Sequence, residues 1–182
     1  IVFTGVAGGL GDGVQVGDVV VAQALLQHDM DASPLFPRFE VPLYGQSHFA
    51  ADAALTAMLL EAASAYCAGA EGQLGAEKVA LFGLKKVQAH HGLLVAGDRF
   101  VATAAESHAL RSALPGVLAV DMESAAVAQV CFDYHIPFAA VRTISDRADD
   151  AAHVDFPLFL AQLAAPYAQG IIGKFLHLLL KT

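Results

Sequence analysis

Glu123 and Asp146 are the two side chains whose type and setting could do acid–base chemistry together. Both belong to the stretch Val117–Asp150, where a short apolar run, Val117 to Val120, ends at Asp121 and passes through Met122, Glu123 and Ser124 into a small-residue helical pattern reaching Cys131 and Tyr134. Pro137 punctuates the return, Phe138 to Val141 is again strand-like, and the run Arg142-Thr143-Ile144-Ser145-Asp146 follows. The pattern predicts strand, helix, strand. Strands joined in this way are expected to run parallel, with their carboxyl ends on one sheet edge, where open α/β folds place ligands. Both carboxylates then approach one crevice. Spacing alone also allows a plainer reading: Asp121 as a helix N-cap, Glu123 in a first turn favoured by the helix dipole, and Asp146 capping a loop.

Other reactive residue types are present without the spacing that chemistry needs. His90 and His91 are adjacent before the predicted strand Leu93–Ala96 and point to opposite sides, so they cannot chelate one ion together. His28-Asp29 lacks further ligands and reads as a structural hydrogen-bonding pair. Cys67 and Cys131 lie in alanine-rich helical patterns with no metal or redox spacing, so they read as buried reduced thiols, which fits the cytoplasm. Gly5, Gly8, Gly9, Gly11 and Gly13 follow a predicted strand over residues 1 to 4 as a tight turn, in a spacing that matches neither dinucleotide nor nucleoside-triphosphate loops.

The elements that must position these residues are those of one α/β domain over residues 1–182. Hydrophobic residues make up 56% of the chain, enough for a sizeable core, yet charges and glycines interrupt every apolar run before it reaches bilayer length. A formal charge of -8, with ten Lys and Arg that form no cluster, excludes a duplex nucleic-acid partner and favours a small neutral or cationic ligand. A strand is predicted from Val16 to Gln27, then a loop in which Pro34, Pro37 and Pro42 forbid ladder pairing and leave Leu35, Phe36, Phe39 and Tyr44 unplaced. Ala50–Ala68 predicts a packing helix, with Leu55, Met58, Leu59, Ala62 and Ala63 on one face. Residues 69–86 are weakly patterned, with a possible edge strand from Val79 to Leu84. Ala105–Leu114 predicts a short helix ended by Pro115-Gly116, and a helical pattern from Asp155 to the end should kink or split near Ala165, before Pro166.

Five segments in order carry a resemblance: Thr4-Gly5-Val6-Ala7-Gly8-Gly9, Val16-Gly17-Asp18-Val19-Val20-Val21, Gly97-Asp98-Arg99-Phe100-Val101, Asp121-Met122-Glu123-Ser124 and Arg142-Thr143-Ile144-Ser145-Asp146. Together they resemble the nucleoside phosphorylase and hydrolase superfamily, and within it most closely the bacterial methylthioadenosine/S-adenosylhomocysteine nucleosidases. The likeness runs over nearly the whole chain and is weak between Leu35 and Gln88. It implies an α/β three-layer sandwich with a mixed, twisted central sheet flanked by helices. It also implies hydrolysis of the bond between ribose and adenine without metal or cofactor, in methionine salvage.

The resemblance assigns roles. Asp146 is implied as the acid that protonates adenine N7, and Glu123 as the grip on the ribose hydroxyls while positive charge develops on the sugar. Phe100 would stack on the purine, Val101 would present backbone N–H and C=O to its edge, Met122 would lie against the ribose, and the backbone of Ala7 and Gly8 would line the pocket. Asp121, Arg142 and Ser145 belong to the same binding set. For Asp146 to serve as an acid, Arg142 and Arg147 should point elsewhere or orient Asp146 only when ligand is bound. Phosphorylases of the superfamily carry an arginine where this chain has Phe3, which favours water over phosphate as nucleophile. Val6 departs from the Ser or Thr usual in the nucleosidases and removes a hydroxyl. The loop 33–44 is implied to close a partner's pocket in a homodimer. Because Ile1 opens directly as core strand, the chain reads as lacking an N-terminal β-α-β portion that carries the family's water-activating acid. Two alternatives stay open: a purine nucleoside or uridine phosphorylase, and a nucleoside-binding protein of the same fold without turnover.

Overall fold

The computed structural model describes residues 1–84, 86–150 and 152–181. A six-stranded mixed sheet lies at the centre with helices on both sides. Its strands are β1 (Val2–Gly9), β2 (Val19–Gln27), β3 (His48–Ala50), β4 (Ala89–Ala96), β5 (Val117–Asp121) and β6 (Ala139–Asp146), in the order β3-β2-β4-β5-β1-β6. One edge of β2 is shared, its first half pairing with β6 and its second with β3, so the sheet curls until β2 and β6 meet. Alternation along the strands divides the core. Val19, Val21, Ala139 and Val141 face one hydrophobic cluster, whereas Val20, Ala22 and Ala140 face another.

The first cluster is covered by α1 (Ala53–Cys67) and α7 (Ala165–Leu179), the second by α5 (Ser124–Asp133). Asp52 starts α1 by accepting the Leu55 N–H at 2.9 Å, the cap expected of an Asp at that place. Asp18 ties the sheet's entry together: its buried carboxylate accepts from Gln15 N, Gln88 N and His90 Nε2 at 3.0, 2.8 and 2.8 Å.

Several sequence expectations are corrected. β5 and β6 do not run parallel: β1 lies between them, antiparallel to β5 and parallel to β6. The strand does not end at residue 4 either. β1 continues to Gly9, so Gly5, Val6 and Gly8 are strand residues and not a turn; the turn comes later, with Gly13 and Gly17 at positive φ. Gly17 also delays β2 to Val19. Residues 69–84 hold two short helices, α2 (Ala70–Leu74) and α3 (Ala76–Leu81), and no edge strand. His90 and His91 lie inside β4. His28 and Asp29 act separately: Asp29 accepts the Asp98 N–H at 2.7 Å, while His28 Nε2 is buried without a hydrogen-bond partner among the described residues. The His28 imidazole is held below its ordinary value, mainly by burial.

The C-terminal helical run changes just before Ala165, where the sequence predicts a kink or split, and does so by a change of helix type. After α6 (Ala152–Phe159) it widens into one π-helical turn, Leu160–Ala164, and resumes as α7. Pro166 supplies no N–H to the carbonyl of Gln162, four residues earlier, and Lys78 Nζ donates to that carbonyl at 3.1 Å instead.

α7 meets α1 at Gly170, where an added Cβ would stand 2.1 Å from Tyr66 Cε2. Gly173, one turn on, faces open space. Gly170→Ala should therefore destabilise the protein by about 1–3 kcal/mol through overpacking, while Gly173→Ala should stabilise it by about 0.5–1 kcal/mol through helix propensity. Urea unfolding midpoints check both, and midpoints moving in the same direction would contradict the packing described.

Candidate active site

β1 and β5 are antiparallel only over Gly8–Val120 and Gly9–Ala119, so they approach from opposite sides and overlap by their last residues. β6 ends at the same place, because Gly8 also pairs with Asp146. Three carboxyl ends thus converge although one strand runs the other way. Past its end β5 continues beside β1, and a cavity of about 280 Å³ opens between Phe3–Gly8 on one wall and Val120–Glu123 on another, with Arg99–Val101, Arg142, Ser145, Asp146 and Phe156 completing it. All ten residues singled out in the sequence, Ala7, Gly8, Phe100, Val101, Asp121, Met122, Glu123, Arg142, Ser145 and Asp146, lie on this cavity.

Asp146 is buried at its floor. Its Oδ2 accepts from Ser145 Oγ and its Oδ1 from Ala148 N, each at 2.8 Å. A bulge sets this geometry. Ala7 pairs with Ile144 and Gly8 with Asp146, leaving Ser145 as the extra residue whose hydroxyl turns back onto Asp146, with Ala7 O as a longer alternative at 3.3 Å. Bulges of this kind re-aim side chains beside functional sites. Gly8 is required there, since a Cβ would stand 2.9 Å from the Ala148 Cβ and 3.1 Å from Asp146 Oδ1.

Glu123 occupies the N-cap position of α5, yet its side chain makes no capping bond and its carboxylate is exposed at the cavity. Asp121 does the capping instead: Oδ1 accepts from Glu123 N, Ser124 N and Ser124 Oγ at 3.2, 3.0 and 2.8 Å. Its Oδ2 accepts from Arg142 Nε at 2.6 Å, with both side chains almost wholly buried. The Arg142 guanidinium passes over Gly5, stacks 4.2 Å from the Phe3 ring centroid, and donates to the carbonyls of Phe3 and Val141 at 3.2 and 3.3 Å. Asp121 and Arg142, grouped in the sequence with ligand-binding residues, are thus committed to each other and build the wall. Arg147 donates to Val14 O.

The outer rim is apolar and exposed. Phe100 and Met122 are 42% and 40% exposed, and Phe100 meets the edge of Phe156 at a centroid distance of 5.7 Å. Val101 lies outside the strands, and among the described residues its backbone N–H and C=O have no hydrogen-bond partner, which leaves both for a ligand edge. Phe156 and Arg99 were not predicted on the cavity. Phe156 reads from sequence as one member of a helical apolar stripe, and no local signal separates a stripe residue that packs from one that faces a pocket. Among the described residues no group of three or more His, Cys, Asp or Glu is arranged to hold a metal ion, and no helix is long and apolar enough to cross a membrane.

This fold and this cavity define the class. The chain belongs to the phosphorylase superfamily, whose family model matches residues 1–177. Within it the chain belongs with the 5'-methylthioadenosine/S-adenosylhomocysteine nucleosidases. The nucleosidase of Shewanella denitrificans is 31% identical over 180 residues, covering 98% of this chain and 70% of that protein. The crystal structure of the Neisseria meningitidis nucleosidase in complex with methylthio-immucillin-A superposes with a TM-score of 0.77 at 34% identity, over 96% of this chain and 68% of the other. The Streptococcus pneumoniae nucleosidase in complex with 8-aminoadenine gives 0.77 at 30% identity, over 96% and 67%.

Removing one member of the Asp121–Arg142 pair leaves the other as a buried, uncompensated charge. Asp121→Asn should cost about 3–5 kcal/mol, the usual penalty for breaking a buried pair from one side. Guanidinium unfolding measures it, and an unchanged midpoint would show that the pair does not hold the wall.

Proposed function

We propose that this protein hydrolyses the N-glycosidic bond of 5'-methylthioadenosine or S-adenosylhomocysteine and releases adenine. The observation that carries the reading is the joint placement of buried Asp146 and exposed Glu123 on one cavity, beside Phe100 and the unbonded backbone of Val101. Adenine lies on Phe100 with its edge on Val101, and the ribose lies between Met122 and the backbone of Ala7 and Gly8. As the C1'–N9 bond breaks, its electron pair goes to the base, and Asp146 delivers a proton to N7 so that neutral adenine leaves. Glu123 accepts hydrogen bonds from the ribose hydroxyls and offsets the positive charge growing on the sugar. Water adds to C1' and gives up a proton to solvent, from which Asp146 is reprotonated for the next turnover. Ser145 holds Asp146 in place throughout.

Water is favoured over phosphate as the nucleophile. A phosphorolytic site needs a cation free to bind phosphate. Here Phe3 stands where an arginine would be needed, Arg142 is spent on Asp121 and two carbonyls, and Arg99 lies on the exposed rim bonded to Glu106.

The partner is a second copy of this chain. Tyr44 anchors the 33–44 loop by donating to Asp133 Oδ2 at 2.6 Å and by packing against Phe49 and Phe132, yet Leu35 and Leu43 remain 84% and 91% exposed. Such apolar residues at a loop tip fit an interface, and their place is the mouth of the partner's cavity. The protein acts in the cytoplasm, in methionine salvage; its two free, buried cysteines fit a reducing compartment, and burial pushes the Cys67 thiol up to about 12.

Incubation with methylthioadenosine should release free adenine equally with and without phosphate, with 5-methylthioribose and no 5-methylthioribose 1-phosphate as the sugar product. Asp146→Asn should lower kcat by roughly 10²–10⁴-fold while retaining adenine-analogue binding, and Glu123→Gln should weaken both. Wild-type turnover by Asp146→Asn would refute its role. Paired Leu35→Asp and Leu43→Asp substitutions should convert a dimer to monomer in sedimentation; an unchanged sedimentation coefficient would remove the loop from the interface.

A further inference from the structure

The helix α4 (Ala104–Ala113) contributes no residue to the cavity, yet its first turn is bonded to two segments that do. On one side Thr103 and Glu106 form a reciprocal cap. Thr103 Oγ1 accepts the Glu106 N–H at 3.2 Å, and Glu106 reaches back to Thr103 Oγ1, Ala102 N and Arg99 Nη2 at 2.9, 3.3 and 3.0 Å. That fastens the segment carrying Phe100 and Val101. On the other side the next residue, Ser107, is buried and donates its hydroxyl to the carbonyl of Ala148, while Ala104 N donates to Asp150 Oδ1 at 3.3 Å.

Ala148 is the link to the acid. It is fully buried with φ at 48°, a left-handed conformation costly for a residue with a side chain and maintained only where its surroundings over-determine it. Three contacts do so: its Cβ fills the space over Gly8, its N–H donates to Asp146 Oδ1 at 2.8 Å, and its carbonyl accepts from Ser107. The first two lie at the site itself. The third comes from a helix outside it.

We propose that Ser107 is a positioning residue for Asp146, holding the Ala148 peptide so that its N–H keeps the carboxyl group turned toward N7 of the bound base. The inference rests on the reading of Asp146 as the proton donor. Without the Ser107 hydroxyl the Ala148 carbonyl is a buried acceptor with no donor from α4, and the left-handed residue can relax toward ordinary backbone. The carboxyl group then loses its fixed direction, while Phe100 and Val101 keep theirs, since Glu106 still fastens the purine-facing segment, and Glu123 stays placed by the bond from its N–H to Asp121.

A hydroxyl that serves stability alone would affect every substrate alike, whereas one that acts through Asp146 matters only where the leaving group needs a proton. Ser107→Ala is therefore compared with wild type on methylthioadenosine and on the p-nitrophenyl glycoside of 5-methylthioribose, whose phenolate departs unprotonated. The expected result is a loss of about tenfold in kcat on the nucleoside, the scale of one hydrogen bond's contribution to a barrier, with KM changed by less than about twofold. On the aryl glycoside the same variant should stay within about twofold of wild type, and Ser107→Thr, which keeps the hydroxyl, should recover most of the nucleoside rate. Equal losses on both substrates, or an unchanged kcat on methylthioadenosine, would overturn the proposal. If Ser107→Ala does not accumulate folded, Ser107→Cys, a weaker donor of similar volume, is judged by the same ratio of the two rates. A wild-type protein that releases no adenine would refute the reading of the whole site, and this inference with it; an active wild type with an unchanged variant refutes this inference alone.

Discussion

The buried ion pair between Asp121 and Arg142 is the constraint on which the site depends. It joins the end of β5 to the middle of β6 across β1, which lies between them, at an Nε–Oδ2 distance of 2.6 Å. The guanidinium crosses close over Gly5; a Cβ at that position would stand 3.3 Å from it and press it outward by a few tenths of an ångström. The same carboxylate accepts three hydrogen bonds from the start of α5, so one residue sets both where β5 stops and how Glu123 is presented. Two buried charges that satisfy each other and the surrounding backbone hold a geometry that apolar packing would leave free to slide.

Around that pair the convergence of strand ends makes a cavity out of a sheet edge. β1 and β5 touch by two residue pairs at their carboxyl ends, and β6 finishes alongside. Polar groups become available to a ligand around that point: among the described residues Val101, in the loop after β4, has no partner for its peptide groups, and Glu123 sits at a helix start without capping it. Asp146 differs from Glu123 in every physical respect. One is buried, with a donor on each oxygen; the other is exposed and free among the described residues. Two carboxylates in settings this unlike are what the proposed pair of roles, proton donor and ribose grip, requires.

The periphery shows how an apolar chain keeps its binding surface open. Phe100, Met122, Leu35 and Leu43 remain exposed while residues of the same kinds fill three packed clusters. Phe100 and Met122 lie on the cavity rim and Leu35 and Leu43 on the loop 33–44, while other large apolar residues, among them Phe132, Leu160 and Leu180, are exposed elsewhere on the surface.

Much of the site was legible in the chain. The segments around Gly5, Phe100, Asp121 and Arg142 carry their signatures locally, and every residue drawn from them lies on one cavity. Apolar periodicity likewise located α1, α5 and most strands, because which side of an element is buried depends on side chains a few positions apart. Tertiary structure decided what depends on distant partners. The strand-helix-strand pattern implied parallel β5 and β6, and the intervening β1 reversed that; residues 79–84 read as a possible edge strand, yet Val79 to Leu81 end α3 and the chain turns after them; Ser145 is a bulge only because Gly8 skips to Asp146. Asp121 reads as a helix cap, and nothing near it announces that its other oxygen belongs to Arg142, a residue on another strand. Local sequence sets propensity and burial, but pairing direction, ion pairs and the closing of a wall are free-energy differences between whole arrangements of the chain, and these exist only once it has folded.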